Sequence, residues 1–227
     1  MVKEIITDVE KLGDWCEEVA LPREAKLAQE IVLNLKDTIR EHNLPSLSAP
    51  QLGYNKRIFV VNFNGDLRSF VNPTIMSAQG MTLADEVCSS LPGQRFIRPR
   101  NNTIAVAYQT PLGKIESHKF LGLAAVVIQH ELDHLNGILL SDVGLEIDGA
   151  WDAATQEERD EVISAYLDSM DLKRKALEED IQADEHLSQL SKGLDFVEAV
   201  QKGEVTLAPD ARVLKADFQK KSESSEN

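Results

Sequence analysis

Apolar residues recur at Ala28, Ile31, Val32, Leu35 and Ile39 between polar positions, and this spacing predicts an amphipathic helix over residues 23–42. Asn43, Pro45 and Ser46 end it and open a loop, SLSAPQLG. The pattern then turns to strand. RIFVVNF is β-branched and aromatic, and Asn64-Gly65 predicts a tight hairpin turn into RSFVNPTI. TIAVAYQ and KIESHKF predict a second hairpin around Pro111 and Gly113. Between the two, MTLADE reads as a strand that leads into DEVCSSLPGQRFIRPR, a stretch rich in turn residues. Helical spacing returns at Leu121 and runs to Gly137, which stands where a C-terminal cap belongs. Past Gly149, Thr155-Gln156-Glu157-Glu158 is a capping box, and Val162, Ile163, Tyr166, Leu167 and Met170 form an apolar stripe behind it. Helix-favouring, acid-rich sequence continues to about Lys202, and the final KKSESSEN has the composition of a disordered end.

Composition changes this picture little and charge changes it more. With 227 residues, 42% hydrophobic and 27% charged, the chain is long enough for a sizeable core and has the balance of an ordinary globular protein. Its net charge of −14 argues against nucleic acid or an anionic membrane surface as a partner. The first residues, MVKEIITDVEKL, lack the apolar core of a signal peptide. The longest apolar run, LGLAAVVI, is too short to span a bilayer. The two cysteines, Cys16 and Cys88, are far apart and form no disulfide framework, so a reducing cytoplasm is expected.

That apolar run leads into QHELDHLNG, residues 129–137. On a helix, His130 and His134 lie on one face with Glu131 beside them, a spacing that can grip a metal and move a proton for bound water. Histidines so spaced also occur idle on solvated helices, and two of them do not complete a metal site. The third ligand has several candidates. Six residues past His134, where one protease class places a histidine after a glycine, stands Leu140. Glu157, Glu158 and Glu161 lie downstream, but a capped amphipathic helix already explains them. Cys88, in the polar stretch EVCSS, offers a thiolate suited to zinc or ferrous iron and leaves a fourth position for water. The alternative for Cys88 is a small buried core thiol.

At these residues the chain resembles the peptide deformylase family, whose motifs GxGLAAxQ, EGCLS and QHExDHLxG appear in order as LPSLSAPQ (44–51), EVCSS (86–90) and QHELDHLNG (129–137). The resemblance covers roughly the first 145 residues. It implies an α+β fold, with antiparallel β-sheets packed around a central helix bearing the histidines. It divides the chain into a metal-hydrolase domain, 1–149, and an acidic, mainly helical extension, 150–227. It implies hydrolysis of the formyl group from N-formylmethionyl peptides or nascent proteins. One divalent metal would be held by Cys88, His130 and His134, Fe2+ first, with Zn2+, Ni2+ or Co2+ able to replace it. Glu131 would carry the proton, and Gln51 with the backbone N–H of Ser89 would stabilise the oxyanion. Arg95 would contact the substrate backbone, and Leu123, Val126 and Val127 would line a pocket for the methionine side chain; ordinary helix-core packing explains these three equally well.

The first motif has lost both glycines, to Leu44 and Ser46, and carries Pro45 between them. The second has Val87 for glycine and Ser89 for leucine. Ser46 and Val87 would therefore meet the substrate and alter the groove, while the metal-and-base set is whole. Two other functions stay open: a divergent hydrolase of another N-acylated substrate, and a metal-stabilised binding protein without turnover. A zinc endopeptidase is disfavoured by Leu140. The ribosome is a conceivable partner for an enzyme of nascent chains, but an acidic extension repels ribosomal RNA. Self-association through the C-terminal helices would bury their apolar stripes instead.

Overall fold

The computed structural model describes residues 1–181, with side chains through Leu172. The stripes expected beyond residue 181 and the disordered end fall outside the described residues. In chain order the elements are α1 (Val9–Leu12), α2 (Ala25–His42), β1 (Ser46–Ser48), β2 (Ile58–Phe63), β3 (Asp66–Glu86), β4 (Arg95–Gln109), β5 (Ile115–Leu121), α3 (Leu123–Leu135), α4 (Leu140–Val143), β6 (Leu145–Ile147), α5 (Gly149–Ala153) and α6 (Gln156–Ile181). The class is the expected α+β, and the strands join into one antiparallel sheet, ordered β1-β2-β3-β4-β5 with β6 added to β4.

Strand β2 explains the layering. Side chains alternate across a strand, so Ile58 and Val60 face α2 while Phe59 and Val61 face α3. The first pair packs with Ala28, Ile31, Val32, Leu35 and Ile39. The second packs with Phe70, Ile128, Leu132 and Leu135. A sheet with helices on both faces must be apolar on both, which is why RIFVVNF reads as a continuous run. Burying each such side chain stabilises by about 1.5–3 kcal/mol.

Both hairpins form where expected. Asn64 and Gly65 have φ of 53° and 97°, the positive pair that a type I′ turn requires, and β2 pairs β3 from Phe63↔Asp66 onward. Strand β4 pairs β5 from Gln109↔Ile115. Two expectations need correction. SLSAPQLG is not wholly loop, because Ser46, Leu47 and Ser48 pair with Val61, Val60 and Phe59 as edge strand β1, and Pro50–Leu52 make one 3-10 turn. Pro45 is tolerated at the start of this edge because its carbonyl accepts from Asn62 N at 2.8 Å, and that bond needs no N–H of its own. Likewise RFIRPR is strand, since residues 96–100 pair with β3 up to Glu86↔Phe96 and Arg95 pairs with Ile147 of β6.

Helix α3 is fixed at both ends. Its final carbonyl, Leu135 O, accepts from Cys16 N and Arg57 Nη1, each at 3.0 Å, which satisfies a group the helix itself leaves bare. Just ahead of its first turn Gly122 N donates to Asn102 O at 2.8 Å, and at mid-helix Gln129 Nε2 donates to Asn101 O at 2.8 Å while Gln129 Oε1 accepts from Asn101 N at 3.0 Å, stapling α3 to β4. Just before the extension, β6 adds to the sheet, pairing Ile147, Glu146 and Leu145 with Arg95, Phe96 and Ile97. The expected capping box is present, with Thr155 Oγ1 and Glu158 Oε2 2.8 Å apart. Along α6, Ile163, Tyr166, Leu167 and Met170 are half-buried, and Tyr166 Oη donates to Val143 O at 2.6 Å. Among the described residues no helix is long and apolar enough to cross a membrane.

Candidate active site

Two elements deliver the three candidate ligands. The β3–β4 loop carries Cys88, and consecutive turns of α3 carry His130 and His134. Their ligand atoms all lie within 4.8 Å of one another. Cys88 Sγ is 3.2 Å from His134 Nε2, and the two imidazoles stand edge to face with centroids 5.0 Å apart. A thiolate and two imidazoles form a borderline-soft donor set that suits a divalent transition metal; without metal, burial at His130 is outweighed by hydrogen bonds with Cys88 and Glu86, which raise it to about 10, so ligation would release its proton. Burial, followed by the charge of neighbouring His130, pushes His134 well below its usual pKa. The neutral, lone-pair-bearing form that ligation needs is therefore the one that site favours.

Behind the ligands lies a buried charge network. Glu86 Oε2 and His130 Nδ1 are 2.9 Å apart, so the carboxylate fixes the ring and leaves Nε2 for ligation. Arg100 grips the same carboxylate through Nε at 2.7 Å and Nη2 at 2.9 Å. Its Nη1 reaches Asp133 Oδ2 at 2.5 Å, and Arg98 joins Asp133 from the other side. Burial alone would raise the Glu86 carboxyl, but hydrogen bonds from His130 and Arg100, with their charges, overcome it and hold the group at about 2. None of these four roles was assigned from sequence. The signals existed: Glu86 opens EVCSS, Asp133 lies inside HELDH, and Arg98 and Arg100 are two apart on a strand and so share a face.

Glu131 is buried, and Ser46 Oγ donates to its Oε1 at 2.5 Å. Its Oε2 has no partner among the described residues. Burial raises this carboxyl, against the charge of His130 and hydrogen bonds from Ser46 and Ser48. Gln51, also buried, takes Ser48 N at 2.9 Å and Ser48 Oγ at 3.0 Å on its carbonyl oxygen. Its Nε2 then points into the Cys88 loop, toward Ser90 Oγ at 3.1 Å, Ser89 Oγ at 3.3 Å and Cys88 Sγ at 3.6 Å. A buried acid and an oriented amide donor thus adjoin one His-His-Cys cluster.

The family profile described as polypeptide deformylase matches residues 2–146. The chain belongs to the polypeptide deformylase family. It is a metal-dependent hydrolase of the kind that removes the N-formyl group from nascent peptides. A peptide deformylase from Dictyoglomus turgidum is 34% identical over 145 residues, covering 63% of this chain and 95% of that relative. Among solved structures, the peptide deformylase of Thermotoga maritima superposes with a TM-score of 0.59 at 28% identity, covering 63% of this chain and 97% of its own. That of Legionella pneumophila gives a TM-score of 0.60 at 25% identity and covers 77% of this chain and 98% of its own.

The residues expected to meet a deformylase substrate are more scattered. Val87 is 69% exposed beside the ligand Cys88, and Leu123 is 77% exposed at the start of α3. Val126 is buried, and Val127 packs partly against the core under the sheet. The Ser46 side chain is directed at Glu131, not left free in a groove. Arg95 is held by two carboxylates, with Nη2 2.6 Å from Asp85 Oδ2 and Nη1 2.9 Å from Asp152 Oδ2. Asp152 belongs to α5, so the extension reaches a residue expected, from the family resemblance, to contact substrate.

Proposed function

We propose that this chain deformylates N-formylmethionyl peptides in the cytoplasm, with residues 1–149 as the hydrolase and the remainder as an accessory extension. Cys88, His130 and His134 would hold one divalent metal, ferrous iron by family resemblance, with nickel, cobalt or zinc as substitutes. When bound, the metal supplies Lewis acidity that polarises the formyl carbonyl and acidifies water. Glu131 takes a proton from the attacking water through its free carboxylate oxygen and returns it to the departing amine. Gln51 Nε2 and the Ser89 N–H donate to the oxygen that gains charge at the formyl carbon. Leu123, Val126, Val127 and Val87 contact the methionyl residue and its peptide, and Arg95 the backbone beyond.

The observation that carries this reading is the convergence of three ligand atoms within 4.8 Å on a helix whose intervening glutamate is buried with one oxygen unpartnered. No contact with ribosomal RNA is assigned, since the first turns of α6 carry Glu157, Glu158, Asp160 and Glu161.

The test is formate release from formyl-Met-Ala-Ser by protein prepared without oxygen and loaded with iron, nickel or zinc. Turnover is expected with iron and nickel. Glu131→Ala keeps the metal and loses about 10³-fold in kcat, whereas Cys88→Ala loses metal itself. Absence of turnover with every metal overturns the reading, and unchanged metal content in Cys88→Ala moves the third ligand elsewhere.

A further inference from the structure

Strand β1 reads Ser-Leu-Ser, and its alternation sends Leu47 one way and the two serines the other. Leu47 enters the core against α2. The serines face the active site, and their short hydrogen bonds go to different functional groups. Ser46 Oγ donates to Glu131 Oε1 at 2.5 Å. Ser48 donates to Gln51 Oε1 twice, from its backbone N at 2.9 Å and its hydroxyl at 3.0 Å. At these two positions the family motif has glycine and alanine, which offer no hydroxyl.

We propose that Ser46 and Ser48 are positioning residues that set the base and the oxyanion donor of this deformylase. A carboxylate alone in a buried site can turn about its terminal torsion, exchanging its two oxygens. With Oε1 tied to Ser46, the unpartnered Oε2 is the oxygen presented for proton transfer. An amide has the opposite ambiguity, because its oxygen and nitrogen ends are close in shape. Two donors from Ser48 make the inner end of Gln51 an acceptor, so the outer end facing Cys88 is the N–H2. A turned amide would set its own N–H2 against the Ser48 N–H. Donor and base are therefore both oriented from one three-residue edge strand, whose register is fixed by β2.

The inference rests on the roles proposed above for Glu131 and Gln51, and its test separates the two. Formate release by the unmutated, iron- or nickel-loaded protein tests the function. The ratio between variants tests the positioning. Ser46→Ala is expected to lower kcat about tenfold, with KM for formyl-Met-Ala-Ser within twofold and the metal stoichiometry unchanged. Ser46→Thr, which keeps the hydroxyl, restores kcat to within threefold, and Ser46→Gly behaves as Ser46→Ala. Ser48→Ala costs less, about threefold in kcat, because the backbone N–H still holds Gln51. In a Glu131→Gln background, Ser46→Ala lowers the residual rate no further. The proposal is overturned if Ser46→Ala keeps kcat within twofold, or if it raises KM at constant kcat. It is also overturned if Thr is no better than Ala, or if the Ser46 effect persists undiminished without the Glu131 carboxylate.

Discussion

Glu86 does its work without reaching the substrate. Its carboxylate joins His130 to Arg100 and is held at about 2 when the same acid in the unfolded chain titrates near 4.5. A depressed carboxyl stabilises the fold fully above the unfolded value, and that contribution is lost as pH falls through the folded one. The stability of metal-free protein should therefore fall between pH about 4.5 and 2. Glu86→Gln should flatten that fall while lowering stability at neutral pH, since it strips Arg100 of its buried partner. Urea titrations across that range read both effects; an unaltered acid slope in the variant would contradict the assignment. Arg95 offers a second test at this scale. Its pairs with Asp85 and Asp152 are solvent-exposed, so Asp152→Asn should leave the melting temperature nearly unchanged. If Arg95 meets the peptide backbone, the same variant raises kcat/KM for formyl-tripeptides and leaves formyl-Met-amide unaffected. What sequence revealed at this scale was chemistry carried by spacing: His130, His134 and Glu131 follow from one helical turn. Ser46 escaped, because a substitution in a motif does not say which way its strand turns the side chain.

At the scale of elements, the C-terminal end of α3 is where the site is anchored to the body. Gly137, at φ +67°, lies so close to the N-terminal segment that a Cβ there would meet Gly13 O at 2.3 Å. Both atoms belong to backbone, so neither can swing aside. Gly137→Ala should destabilise the protein by about 3 kcal/mol, whereas Gly149→Ala, with nothing within 4 Å of its Cβ, should change stability little. Equal denaturation midpoints for the two variants would refute this. Helix α2 and the Asn64-Gly65 hairpin were legible because periodicity and turn chemistry are local. Strand β1 and the first residues of β4 were not. Each is made strand by a partner far along the chain, and their own residues (Ser, Pro, Arg) favour turns or the surface.

The whole molecule joins a recognisable hydrolase to an extension whose sequence suggested independence. The described part of that extension follows directly on β6, which is paired to β4, and is attached through Asp152 on Arg95 and Tyr166 on Val143. Truncation after Gly149 should leave hydrolysis of a short formyl-peptide within severalfold, because the candidate ligands, base and donors precede it, and should lower the melting temperature by several degrees. A truncated protein that binds metal but releases no formate would show that the extension serves catalysis. The sheet has a further consequence, for the order in which the chain is made. Cys88 and His134 are 46 residues apart, and the start of β4, which follows the Cys88 loop, gains its partner β6 only at Leu145–Ile147. Emerging from its N-terminus onward, the chain exposes its thiol long before the imidazoles that would share a metal with it. A divalent metal offered to the growing chain before His130 emerges would meet Cys88 without its proposed partners; one offered after Ile147 has emerged would meet all three. An enzyme that trims newborn proteins thus gains its own active centre only once Ile147 of its 227 residues has been made.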